Sequence, residues 1–250
     1  MIVKEILRKE ENMHINSQNS YERISKEAAQ QVVQIMKEHP GGLFCFAGGD
    51  TPILTLELLV DEHKRGSINL QDYYYIELDE WVGLGENDQG SCISYLNEYL
   101  FFPADIPKSN IHVFNAKADD LAKECALANA YIKNHGQITL SLLGVGVNGH
   151  LGFNEPGVDF NLEAHIVDLK EDTKTIGQKY FVNNFVPSRG ITLGIKQLLA
   201  SKYIILLANG ESKKTAIAHL LSDEAPINEW PVTALKEHPN TYAFLDSNLT

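Results

Sequence analysis

This 250-residue chain is short of several things that would each have fixed a class. It has only three cysteines, Cys45, Cys92 and Cys125, scattered and odd in number. They show neither metal-ligand nor redox spacing, so a disulfide scaffold and a cysteine-rich metal domain are excluded. No apolar run approaches the ~18 residues of a membrane span. Residues 1–12 mix charges of both signs without an apolar core of signal-peptide length. Positive charge is scarce as well: 21 Lys and Arg face 33 Asp and Glu, a net charge of −12, and no basic tract stands out. Neither nucleic acid nor a membrane is therefore an expected partner. An anionic ligand would have to be held by a local cluster, not by the overall field. A cytoplasmic protein is expected. Internal repeats and linkers are also lacking, and a chain of this length buries a large core, so residues 1–250 are expected to form one domain.

What is present is an alternation of apolar runs and amphipathic stretches. Residues 1–20 are polar and predict no element. Asn19 or Ser20 can cap a helix over Tyr21–Glu38, whose apolar face is Ile24, Ala28, Val32 and Ile35, and His39-Pro40-Gly41-Gly42 stops it. Strands are predicted over residues 43–47, 73–78, 138–143, 189–193 and 203–208, within 108–114, and finally over 242–245. Helices are predicted over 53–64, 91–101, 119–134, around 173–181, over 195–200, and from Lys213 to about Leu221. Strands alternating with helices predict an α/β fold: a doubly wound, mainly parallel, Rossmann-like sheet with helices on both faces.

The chain is organised around residues 144–157. The apolar strand 138–143 runs into Gly144-Val145-Gly146-Val147-Asn148-Gly149-His150, then Leu151-Gly152-Phe153-Asn154-Glu155-Pro156-Gly157. Glycines let the backbone turn sharply and approach a ligand. The turn delivers an imidazole, a carboxylate and two amides (Asn148, Asn154) where open α/β sheets bind ligands, beyond the carboxyl ends of the strands. A lone loop histidine is usually structural; His150, between glycines and five residues before Glu155, is a candidate for moving protons. Gly144, Gly146 and Gly149 match the dinucleotide fingerprint in spacing. That motif requires a following helix, and residues 154–157 are a turn instead, so nicotinamide binding is disfavoured.

Three further turns carry candidates. Gly48-Gly49-Asp50-Thr51-Pro52 joins a strand to a helix, in outline a phosphate cradle of free N–H groups and a positive helix end; an ordinary turn is the equal alternative. Asp79-Glu80 follows a strand and reads locally as solvated charge. Lys213 sits early in a helix, where the dipole disfavours a cation and a bound anion would explain it; an exposed lysine is the alternative.

Gly-Val-Asn-Gly-His-Leu-Gly-Phe-Asn-Glu-Pro-Gly resembles the signature loop of the glucosamine-6-phosphate deaminase family, which includes galactosamine-6-phosphate deaminase/isomerases and, more distantly, 6-phosphogluconolactonases. The lactonases share the Gly-His and continue differently; Phe153-Asn154-Glu155-Pro156 looks like the deaminase branch. The likeness runs from about Leu43 to the end. It implies that Gly48, Gly49 and Thr51 hold a sugar phosphate, with Lys213 in the family's Gly-x-x-Lys and Lys179 as further cations. Asp50 departs from the pattern, since relatives carry a small neutral residue there. A carboxylate beside a phosphate costs energy unless it points away or a cation sits near; it could instead cap the helix after Pro52. The match of Asp79-Glu80-Trp81-Val82-Gly83-Leu84 to the family's Asp-Glu-aromatic-Val-Gly-Leu implies that Asp79 shuttles a proton between C2 and C1. Glu80 and Gly146 are implied to touch substrate. Trp81, with Gly90-Ser91-Cys92, looks more like the galactosamine branch.

The implied activity is conversion of an amino-sugar 6-phosphate to a ketose 6-phosphate and ammonia. His150 would serve ring opening, with Glu155 keeping it oriented and charged as needed. Asn148 cannot be a base and can only orient His150 or substrate. No metal or organic cofactor is called for. The expected partner is a small amino-sugar phosphate, and a homo-oligomer is allowed. A lactonase using His150 as base, or a non-catalytic sugar-phosphate-binding effector module, are the alternatives.

Overall fold

Ser20 is extended, and its hydroxyl accepts the Arg23 N–H to cap α1 (Tyr21–Glu38), whose buried face includes Ile24, Ala28, Val32 and Ile35. The computed structural model, of which α1 is the first helix, describes residues 13–181 and 185–250. The segment 1–12, expected to hold no signal peptide, lies outside the described residues. The strands are β1 (Met13–Gln18), β2 (Leu43–Phe46), β3 (Tyr74–Glu77), β4 (Asp79–Trp81), β5 (Ile111–His112), β6 (Ile138–Gly144), β7 (His165–Asp168), β8 (Arg189–Thr192), β9 (Tyr203–Ala208) and β10 (Thr241–Asp246). After α1 come α2 (Ile53–Lys64), α3 (Cys92–Leu96), α4 (Leu121–Asn134), α5 (Glu171–Gly177), α6 (Ile195–Leu199) and α7 (Lys214–Leu221).

Seven strands form a wholly parallel sheet in the order β1-β10-β9-β6-β2-β3-β5. β2 and β6 are buried along their length, as a strand covered on both faces must be. Leu43 and Cys45 of β2 join a core with Cys125 and Ala128 of α4 and Ile217 of α7. Phe44 and Phe46 point the other way, among Ile24 and Val32 of α1 and Leu56 and Leu59 of α2. Helices thus cover both faces. The chain leaves β2 towards β3 and β5 on one side, while β6, β9, β10 and β1 lie on the other. The crevice beyond β2 and β6 is the topological switch point, where such sheets bind ligands. Among the described residues no helix is long and apolar enough to cross a membrane.

Four details differ from expectation. Residues 13–18 form an edge strand parallel to β10 despite their polarity; an edge needs few apolar side chains, so the run carries no strand signal. Asp79-Glu80-Trp81 is a strand, not an open turn. It pairs antiparallel with β8, and β8 with β7, in a second, three-stranded sheet. The helix predicted around 173–181 starts at Glu171 and ends at Gly177, followed by a 3₁₀ turn over Gln178–Tyr180. Lys213 closes the 3₁₀ turn Glu211–Lys213 and precedes α7.

Candidate active site

Three turns at the carboxyl ends of the large sheet, with β4 of the small one, converge on one cavity. Its lining includes Gly48, Gly49 and Thr51 after β2, Asp79 and Trp81 of β4, Gly146 and His150 after β6, and Lys213 after β9.

The first turn is shaped by close backbone packing. A Cβ on Gly48 would lie 2.5 Å from the Cys92 carbonyl oxygen, and Gly49 has φ +110°, a conformation other residues rarely adopt. Pro52 precedes α2 and makes no side-chain cap to it; the Leu54 N–H of the first turn donates instead to the Tyr21 hydroxyl at 3.2 Å. Asp50 does not cap it. Its carboxylate instead meets the Lys179 ammonium at 2.7 Å, with both side chains about half exposed (53% and 54%). Such an exposed pair contributes no more than about 1 kcal/mol. Lys179 therefore stands at the rim, engaged with Asp50. Lys213 has no acidic partner among the described residues. Burial pushes its ammonium down to about 8, and the charge of Lys179 adds to that.

Asp79 is 7% exposed. Burial, then the charge of Glu80, pushes its carboxyl up to about 8. Glu80 is wholly buried and does not line the cavity. Its oxygens accept the N–H groups of Trp81 (2.8 Å), Cys92 (3.0 Å) and Ile93 (3.1 Å), fastening β4 to the start of α3. The expectation that Glu80 touches substrate is corrected on this geometry: both oxygens are spent inside the protein.

The glycine-rich loop after β6 is a tight cage around His150. The Gly146 N–H donates to the His150 carbonyl at 2.9 Å, and the Asn148 side chain accepts the His150 N–H at 3.2 Å. The Asn148 amide also donates to Glu155 Oε2 at 3.0 Å, while Glu155 Oε1 accepts the Lys170 N–H at 3.2 Å. Glu155 Oε2 is 3.8 Å from His150 Nδ1, too far for a hydrogen bond, and Thr173 Oγ1 of α5 stands at 3.3 Å from the same nitrogen. Burial holds the imidazole well below its ordinary value in spite of the Glu155 charge, with Lys213 adding to the depression. A lowered imidazole is neutral at pH 7, and Asn148 ties the His150 backbone N–H to Glu155. Thr173 escaped the sequence reading because it lies 23 residues beyond His150 in a polar helix without a motif. Tyr95 and Tyr180 complete the wall on the Asp50 side.

A chain with this geometry has known relatives. The model of the family described as glucosamine-6-phosphate isomerases/6-phosphogluconolactonase matches residues 16–243. Glucosamine-6-phosphate deaminase from Geobacillus sp. (strain WCH70) is 35% identical over 230 residues, covering 92% of this chain and 91% of the relative. Glucosamine-6-phosphate deaminase 1 from Bacillus subtilis (strain 168) is 35% identical over 236 residues, covering 94% and 97%. Among solved structures, one described as a monomeric glucosamine-6-phosphate deaminase superposes with TM-score 0.90 at 34% identity, over 95% of this chain and 98% of that one. A 6-phosphogluconolactonase from Trypanosoma brucei superposes with TM-score 0.75 at 20% identity, over 95% and 97%, which shows the shared fold.

Proposed function

Because this chain belongs to the family of glucosamine-6-phosphate isomerases and 6-phosphogluconolactonases, we propose that it is an amino-sugar 6-phosphate deaminase/isomerase that turns glucosamine 6-phosphate into the ketose 6-phosphate and ammonia. The observation that carries the reading is the sharing of one cavity by Asp79, His150, the glycine turn after β2 and Lys213, which has no acidic partner among the described residues. Proton-moving groups at one end and an anion cradle at the other suit a phosphorylated sugar that reacts at its far end.

The phosphate would take the N–H groups of Gly48, Gly49 and Thr51 with the Lys213 ammonium. Lys179 would reach it only by leaving Asp50. A neutral His150 can accept a proton from the anomeric hydroxyl and return one to the ring oxygen, opening the ring without net change. Asp79 as carboxylate then takes the C2 proton and delivers it to C1, converting the aldose amine to a ketose imine. Water adds at C2, the C–N bond breaks and ammonia leaves, so one water is consumed for each ammonia released. An incoming substrate ammonium favours the ionised form of Asp79. Gly146 supports this chemistry through shape: its backbone lies against the flat face of the imidazole. A cytoplasmic location belongs to the same reading, supported by three free buried thiols, which suit a reducing compartment.

The test is ammonia release from glucosamine 6-phosphate and galactosamine 6-phosphate in parallel, with 6-phosphogluconolactone as a third substrate. Ammonia from glucosamine 6-phosphate is expected. A higher kcat/KM on the galactosamine compound would move the assignment to the other epimer. Lactone hydrolysis without ammonia would make the protein a lactonase, and binding without turnover would make it an effector module.

Two further outcomes are expected. The kcat/KM profile should be bell-shaped around pH 8. Asp79, protonated below about 8, limits the acid side, and Lys213, neutral above about 8, limits the alkaline side. In the kcat profile the alkaline limb should move outward, since bound phosphate favours the charged lysine; an unmoved limb would dissociate Lys213 from the phosphate. For Gly146→Ala, the added Cβ would lie 2.3–2.5 Å from the His150 ring atoms, so the imidazole must leave its place. A loss of about 10² in kcat is expected, with circular dichroism unchanged. Near-normal turnover would show that the position of His150 does not limit the reaction.

A further inference from the structure

Beside the cavity lies a buried group of acids that the mechanism does not use in full. Glu77 ends β3 and is 1% exposed, Glu80 is fully buried, and Asp79 stands between them in sequence, facing the cavity. Among the described residues none of the three has a Lys or Arg partner. Three carboxylates cannot all remain ionised in such a place. Their backbone surroundings decide which does. Glu80 accepts three backbone N–H groups. Glu77 accepts one, from Phe114 at 2.9 Å, and its other oxygen is buried with no donor to satisfy it. That oxygen is a poor place for charge and a good one for a proton, and the charge acting on it most strongly is that of Glu80. The remaining titratable groups facing this cluster are the thiols of Cys45 on β2 and Cys92 on α3, both kept neutral by burial and by the acids themselves.

We infer that Glu77 is a positioning residue that stays a protonated carboxylic acid at neutral pH, donates its hydrogen bond to Glu80, and so keeps on Glu80 the single negative charge that holds the neighbouring Asp79 basic enough to take a carbon-bound proton. Burial, with the Glu80 charge second, raises Glu77 well above the usual carboxylate range; burial raises Glu80 too, but only to about 7, because backbone N–H groups and then Glu77 oppose it. The part played by Asp79 rests on the deaminase reading; the proton on Glu77 does not.

Infrared difference spectra of the whole, substrate-free protein separate the two. A protonated-carboxyl C=O band that persists from pH 6 to 9 should be present in the wild type and absent in Glu77→Gln. A second band, lost in Asp79→Asn, reports the titration of Asp79 itself. Glu77→Gln keeps a donor towards Glu80 and an acceptor for the Phe114 N–H, so the Asp79 midpoint should stay within a few tenths of a pH unit. Glu80→Gln removes the charge and should lower the midpoint by about one unit or more, making Asp79 up to about tenfold more ionised at pH 7. A midpoint lowered equally by Glu77→Gln would show that Glu77 is ionised, and an unmoved midpoint in Glu80→Gln would show that its charge does not tune Asp79; either result overturns the inference. Should Glu77→Gln not fold, wild-type protein with carboxyl-labelled glutamate gives the same decision by ¹³C NMR. One glutamate carbon should keep the shift of the protonated acid up to pH 9, and its absence overturns the inference. Failure of the deaminase reading would appear separately, as no ammonia release from the wild type while these bands remain as described.

Discussion

Asparagine in place of Asp79 is expected to lower kcat on amino-sugar 6-phosphate by about 10³–10⁴, the upper range for a positioned acid–base group, because the proposed mechanism gives one carboxylate both the removal at C2 and the delivery at C1. Binding of inorganic phosphate should be untouched, since the proposed phosphate site is the turn after β2 with Lys213. Stability should change too, in a direction that reports the protonation state. Asp79 is pushed up to about 8 in the fold from an ordinary 3.8. Between those values the folded protein holds a proton that the unfolded chain has released. Raising the pH through this window therefore costs the wild type stability, by at most about 1.4 kcal/mol per pH unit, and the asparagine variant escapes that cost. Urea unfolding at pH 4.5, 6 and 7.5 should show the variant gaining on the wild type as pH rises. Turnover within tenfold of normal would remove Asp79 from the role of base. A stability difference independent of pH would show the native carboxyl to be already ionised.

Much of this site was legible because its residues sit where apolar strands stop. Leu143 to Gly144, Phe46 to Gly48 and Ala208 to Gly210 each mark a change from buried run to glycine turn, and the functional side chains follow within a few positions. What escaped did so for identifiable reasons. Leu78 alone separates β3 from β4, so nothing in the composition announces that Asp79 enters a second sheet paired with β8. Glu80 is adjacent to Asp79 in sequence but on the other side of the pleat, as alternation in a strand requires, and that puts it against the start of α3. Asp50 and Lys179 are 129 residues apart, and their pairing follows only from the path of α5 and the turn after it. His150 and Glu155 were both legible as a pair, yet their 3.8 Å separation and the intervention of Thr173 were not.

Methionine in place of Lys213 is expected to raise KM for the phosphorylated substrate by about 10²-fold with little change in kcat. A charge-assisted hydrogen bond contributes about 1.5–3 kcal/mol, and each 1.4 kcal/mol is tenfold in affinity. The ammonium is partly buried, has no acidic partner among the described residues, and is pushed down to about 8, so the free enzyme holds it in readiness without a competing salt bridge. The unphosphorylated amino sugar, which makes no use of the cradle, should be processed as poorly by the variant as by the wild type. Lys179 offers the contrast: it is about half exposed and already bound to Asp50. Substituting it by methionine frees a carboxylate at the rim, so a several-fold rise in KM is expected from repulsion, and Asp50→Ser in the same background should restore it. If Lys179→Met instead matches Lys213→Met and the serine brings nothing back, the rim pair must open on binding and Lys179 must grip the phosphate directly. Asp50 would then be the group that holds Lys179 in place until the anion arrives.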